Sequence, residues 1–417
     1  MTLESIQAAE NKLMLKTYGR SPYLFVSGHD VYLRDDQGKD YLDLLSGIGV
    51  SALGYGHPAL EAAIRDQSSR LIHTSNLFFH EGTANLALRL TEMSGLDRVF
   101  FCNSGTEAWE AALKLARAHA KMLREEQGKN IGSKFLAMTH SFHGRTMGSV
   151  ATTHKEKYRE PFAPVMPCVE FVEFNNVEDL RAKFSNAICA ICIEPIQGEG
   201  GIHAVSPEFF AAARELCDST GALLMADEIQ SGVGRTGKWF AYQHYGIQPD
   251  VTTLAKPIAG GIPMGAMLCT EAASQAITPG MHGTTFGGGP LACAAAIAVI
   301  DTIKQDNLLD HVRETGDYFK AQLEALAERH EAIVEVRGVG LMLGMELNSS
   351  ELAEKVAAQM MERQIIINRT SETVLRFLPP YILKREHVDT TIAAFDEIFT
   401  SNAAYAGAAP AGEHANG

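Results

Sequence analysis

Two short segments of this 417-residue chain bring reactive groups to the ends of apolar runs. Leu223–Leu224–Met225–Ala226 leads into Asp227–Glu228–Ile229–Gln230, and Thr253–Leu254–Ala255 leads into Lys256. The first delivers a carboxylate and an amide, the second a primary amine. A primary amine condenses with an aldehyde, and a carboxylate can hold a pyridine nitrogen protonated. Together these demands point to pyridoxal 5'-phosphate (PLP) chemistry. Taken singly, each residue has a plainer reading: Asp227 in a structural salt bridge, Lys256 snorkelling from a strand end.

Other polar groups follow apolar runs in the same way. In Phe101–Cys102–Asn103–Ser104–Gly105–Thr106–Glu107 a strand passes into a helix. Gly105 permits close backbone approach, and Thr106 offers a hydroxyl and an N–H where anions settle. An N-capped turn is the simpler reading of the same residues. Ser141–Phe142–His143–Gly144–Arg145–Thr146 carries an aromatic able to cover a planar ring and a guanidinium able to hold a carboxylate. The alternative is a core Phe142 and a surface Arg145. Glu194 and Glu199 stand in a glycine-rich loop, either close-packed or solvated. The loop His282–Gly283–Thr284–Thr285–Phe286–Gly287–Gly288–Gly289–Pro290 adds hydroxyls. Arg376, inside Leu375–Arg376–Phe377–Leu378, needs an anion: a ligand carboxylate or an internal glutamate.

The elements that must position these groups alternate. Helical patterns at 58–69, 81–94, 105–126 and 207–220 are interleaved with apolar runs at 98–102, 135–138, 188–193, 222–226 and 251–254. Alternation of this kind predicts an α/β fold with a mostly parallel sheet, and ligands then sit beyond the carboxyl ends of the strands. A helical arm over 4–16 precedes short strands at 23–26, 31–33 and 41–43, with turns at 28–30 and 37–39. Helical character over 289–329 gives way to strands at 333–337, 341–346 and 374–377 and helices at 350–362 and 386–398. We expect a large domain over 58–300 and a smaller α+β domain built from 1–57 and 301–400. The Ala/Gly-rich stretch 401–417 reads as a disordered tail.

Bulk properties narrow the class. Hydrophobic residues make up 46% and charged residues 21%, the profile of a soluble enzyme, and the net charge of −14 argues against a nucleic-acid or anionic-membrane partner. No apolar run is long enough to span a bilayer and no signal peptide is visible, so a cytoplasmic location is expected. Seven cysteines form no disulfide framework, and Cys189 and Cys192 read as two small side chains of a buried strand. No nucleotide-binding glycine fingerprint is present.

Taken in order, NSGTEA, FHGRT, EPIQGEGG, ADEIQSGVGRTG, LAKPIAGG, HGTTFGGGP and RFLPP resemble the class III (subgroup II) aminotransferases of PLP fold type I, over roughly residues 20–400. The resemblance assigns Lys256 to the lysine that binds the cofactor aldehyde and serves as catalytic base. It puts Asp227 at the pyridine nitrogen, Gln230 near the ring hydroxyl and Phe142 on the ring face. Gly105 and Thr106 match the phosphate turn. Thr285 matches a phosphate ligand supplied by the other subunit of a homodimer with shared active sites. Arg145 and Arg376 match the substrate-carboxylate arginines, Glu199 the partner of Arg376 when no carboxylate is there, and Glu194 a residue near the cofactor. No metal is implied. Trp109 and Gly289 stand where the family usually has Asn, a departure expected to tune packing.

Within the class, residues 41–48 and 73–77 resemble the branch that moves the terminal amino group of N-acetylornithine to 2-oxoglutarate in arginine biosynthesis. Ornithine, succinylornithine, N-succinyl-diaminopimelate and 4-aminobutyrate stay open as donors. An aminomutase or decarboxylase of the same fold is a further alternative, and Gln230 speaks against the aminomutase. A binding protein without chemistry would need neither Lys256 nor Asp227.

Overall fold

The computed structural model describes residues 1–401. Its centre is a seven-stranded sheet in the order Arg98–Cys102, Gly265–Cys269, Val251–Leu254, Leu223–Asp227, Ile188–Ile193, Lys134–Met138, Val169–Val172. The last five are parallel, and Gly265–Cys269 runs against both of its neighbours. Ile188–Ile193, Leu223–Asp227 and Val251–Leu254 are buried along their whole length. This is why they read as unbroken apolar runs and not as alternating ones.

Two of the seven strands lie outside the expected set. Gly265–Cys269 opens on a glycine and has no β-branched residue, so its local signal is weak. Burial between two neighbours makes it a strand. Val169–Val172 is four residues long and alternates poorly.

Helices follow the strands. The longest, Gly105–Gln127, starts where Ser104 Oγ accepts the Glu107 N–H at 3.3 Å and Glu107 reaches back to the Asn103 N–H at 2.7 Å. The reciprocal arrangement is close to a capping box. Gly128 in the left-handed region ends it.

A second sheet joins the two ends of the chain. Phe25–His29, Tyr32–Asp35 and Asp40–Asp43 are antiparallel, and Ile365–Ile366 adds parallel to the last. The strand Phe25–His29 includes Gly28 and His29, which the sequence pattern had placed in a turn. A third sheet, Ile333–Val339, Met342–Leu347, Val374–Phe377 and Asn368–Thr370, is antiparallel throughout and carries Arg376. The tail expected over 401–417 falls outside the described residues from 402 onward, and Ser401 ends the last helix. Among the described residues no helix is long and apolar enough to cross a membrane.

Candidate active site

Five strands end in a common region, and the side chains just beyond them meet. Gly105, Thr106, Phe142, Glu194, Glu199, Asp227, Gln230 and Lys256 border one cavity of about 330 Å³. Arg376 stands behind it, bonded to Glu199 and Gln230. Arg145 and Thr285 do not border it.

Asp227 terminates its strand buried, with both carboxylate oxygens engaged. Oδ1 accepts from the Ile229 N–H at 3.1 Å and the Thr253 hydroxyl at 3.3 Å. Oδ2 pairs with His143 Nδ1 at 2.6 Å. Because a carboxylate only accepts, Nδ1 carries the proton in this contact. His143 lies flat on Trp109, ring centroids 4.1 Å apart and planes 5° from parallel.

Lys256 begins a single 3-10 turn, Lys256–Ala259, just past Val251–Leu254. The side chain keeps some accessible surface, yet burial is the largest influence on its amine. Desolvation pulls the ammonium down to about 8, with Arg376 adding to the fall and Glu199 and Asp227 opposing it. Near neutrality a useful fraction is therefore a neutral nucleophile.

Gly105 and Thr106 open the long helix at the cavity wall. A Cβ on Gly105 would stand 2.8 Å from Ile229, and one on Gly144 would stand 2.6 Å from Thr106 Oγ1. Thr106 Oγ1 is in turn bonded to Thr146 and Ser149 hydroxyls at 2.8 and 2.7 Å. The result is a polar cradle with helix N–H groups at its floor, suited to an anion.

Glu194 is buried and accepts the Phe142 N–H at 2.8 Å. Burial, and then the nearby Asp227, push its carboxyl well above the usual range. Arg376 is fixed by Asn368 Oδ1 at 3.1 Å and the Gly198 carbonyl at 3.1 Å, and its Nη1 meets Glu199 Oε1 at 2.5 Å. Burial raises Glu199, but Arg376 and Lys256 outweigh it and hold the acid below its usual range.

Arg145 is exposed, its guanidinium 3.8 Å from the centre of the Tyr158 ring. Tyr158 lines a second cavity of about 920 Å³ that shares Phe142 and Glu199 with the first. Thr285 is exposed, while its neighbour Thr284 accepts from Asn103 Nδ2 at 3.2 Å at the rim. The sequence alone assigns no role to His143 or Tyr158. His143 sits inside a motif it did single out, and a histidine one residue past an aromatic at a strand end was the available signal.

The α/β sheet thus presents a desolvated amine, a fully bonded carboxylate and a polar helix start to one space. The class-III aminotransferase family model matches residues 14–399. The chain is 46% identical over 403 residues to an acetylornithine aminotransferase of Methanocaldococcus jannaschii, covering 96% of this chain and 99% of that one. It is 47% identical over 377 residues to acetylornithine aminotransferase 1 of Bordetella pertussis, covering 90% and 94%. The fold superposes on ornithine aminotransferase from Toxoplasma gondii with a TM-score of 0.90, at 31% identity and 96% coverage of both chains. Another structure of that enzyme is described with partial occupancy of PLP at its active site. The chain belongs to the class-III aminotransferase family.

Proposed function

We propose that this chain binds PLP in the first cavity and transfers the terminal amino group of N-acetylornithine to 2-oxoglutarate, giving N-acetylglutamate semialdehyde and glutamate. The observation that carries the reading is the meeting of Lys256, Asp227 and the Gly105–Thr106 turn around one space. These residues fit the group. A Cβ on Gly144 would press on Thr106 Oγ1 and one on Gly105 on the Ile229 side chain, so glycine at both places keeps the turn close-packed, which suits a phosphate held by backbone N–H groups at the helix start. Asp227 supplies the negative charge that a protonated ring nitrogen requires. Phe142 borders the space as a ring cover, and Gln230 and Glu194 border it beside Asp227.

When bound, the cofactor supplies an aldehyde for the amino group and a conjugated ring that accepts the electron pair left by C–H cleavage. Lys256 Nζ would hold it through that aldehyde, and the same amine, free, would serve as the base that moves the proton of the carbon bearing the substrate amine. Its lowered basicity suits both tasks. Arg376 binds the carboxylate next to the reacting carbon of glutamate or 2-oxoglutarate. Glu199 covers Arg376 when the donor has no carboxylate there, as with a terminal amine. Arg145, stacked on the Tyr158 ring that lines the second cavity, takes the distant α-carboxylate of the donor. The relatives named acetylornithine aminotransferase, at 46% and 47% identity, support the choice of donor.

The chain acts as a homodimer, with Thr285 completing the partner's phosphate site. Leu77, Phe78, Phe79 and Phe286 are 86%, 68%, 105% and 65% exposed, an apolar surface of the kind that subunits cover. The pairing of Asp40–Asp43 with Ile365–Ile366 supports one small domain made of 1–57 and 301–400 against a large domain over 58–300. The test is a panel: N-acetylornithine, ornithine and 4-aminobutyrate, each with 2-oxoglutarate, with glutamate measured. N-acetylornithine should give the highest kcat/KM. Preference for another donor would assign the machinery to a different ω-amine.

A further inference from the structure

Trp109 is wholly buried one turn into the helix Gly105–Gln127 and belongs to the main apolar core, yet a face of its indole lies flat on the His143 imidazole. The indole N–H donates to Thr152 Oγ1 at 2.9 Å, which fixes the plane of the ring system. Thr152 is held in place by the Ser149 carbonyl at 3.0 Å, and its own carbonyl accepts from Ser141 Oγ at 2.8 Å. Trp109 is therefore a rigid, oriented surface.

His143 is held differently. Its backbone N–H donates to Thr153 Oγ1 at 2.9 Å, and its side chain makes one hydrogen bond, to Asp227. The far nitrogen, Nε2, is buried and meets no polar partner among the described residues. Metal-binding and catalytic histidines are commonly oriented by a polar group on the second nitrogen. Among the described residues no such group meets Nε2, and a single hydrogen bond by itself leaves an imidazole free to tilt about the bond. The indole lies flat against that ring.

We propose that Trp109 is a positioning residue of the site: its indole face holds the His143 ring in the plane that keeps Nδ1–H on Asp227, and so sets the direction of the carboxylate that faces the cofactor. The effect on the cofactor rests on the PLP reading above. The effect on His143 does not, because it belongs to the chain alone.

The test uses full-length protein, with and without cofactor, as wild type, Trp109→Phe and Trp109→Leu. The first readout is the far-downfield proton resonance of His143 Nδ1–H, assigned by its loss in His143→Gln. The second is the rate at which PLP leaves the loaded protein. Leu keeps bulk but has no flat face; Phe keeps a smaller one. Solvent exchange of the His143 proton should quicken about threefold in Trp109→Phe and about tenfold or more in Trp109→Leu, and PLP release should rise in the same order. Loss of thermal stability in Trp109→Leu with proton exchange and PLP release both unchanged would make Trp109 a packing residue only and overturn the proposal. Should Trp109→Leu not fold, Trp109→Phe decides, since exchange equal to wild type overturns it as well. Altered exchange in cofactor-free protein that takes up no PLP would keep the His143 result and sink the cofactor reading instead.

Discussion

The two sides of the cavity are built on opposite plans. On the Asp227 side everything is tied: three donors on one carboxylate, His143 among them on Oδ2, and an indole against that histidine. On the Glu199 side a fixed cation meets a loose acid. The Arg376 side chain is 1% exposed and doubly anchored, whereas that of Glu199 is 35% exposed. Apart from Arg376, the carboxylate of Glu199 accepts only a 3.5 Å contact from Gln230 among the described residues. On the proposed function, the difference separates two jobs. A group that must hold one charge at one place gains from burial and multiple bonds. A group that must leave when a substrate carboxylate arrives gains from exposure and a single replaceable partner.

The comparison breaks most severely at Asp227. Asp227→Asn should lower kcat/KM for both half-reactions alike, by roughly 10²–10³-fold, because a fixed charge serves both. Stopped-flow measurement of each half-reaction checks this, and unequal losses would mean that the tied side also selects substrates.

Glu199→Ala should do the reverse. The half-reaction with the terminal amine should lose about tenfold, since an uncovered Arg376 then misdirects carboxylates, while the glutamate half stays near wild type. Equal losses in the two halves would remove the idea of a replaceable acid.

The smallest effect is on pH dependence. Lys256 has its amine lowered to about 8 by burial, so the neutral form grows as pH rises, and PLP uptake by the cofactor-free protein should climb to a plateau above that pH. Glu199 raises the Lys256 amine and Arg376 lowers it. Glu199→Gln should therefore move the climb to lower pH and Arg376→Gln to higher pH. Shifts of the same sign would mean that these charges do not reach Lys256.

The two sides were also unequally legible in the sequence. Asp227 and Lys256 each close an apolar run, and strand ends of an α/β sheet are where ligands gather, so local pattern alone located them. The pairing of Glu199 with Arg376 spans 177 positions, and only a resemblance suggested it before the geometry placed the two atoms together. The Trp109–His143–Asp227 stack joins three segments, and nothing at position 109 signals which ring the indole will meet. The same limit applied to the sheet, where Gly265–Cys269 becomes a strand through its neighbours' hydrogen bonds and not through its own composition.

The central claim is that Lys256 and Asp227 serve one bound cofactor. Borohydride reduction of the PLP-loaded protein, followed by peptide mass mapping, tests it most directly. The reduced cofactor should be found on Lys256 in wild type and on no residue in Lys256→Ala. Stoichiometric label on a different lysine, or undiminished transamination by Lys256→Ala, would contradict the account.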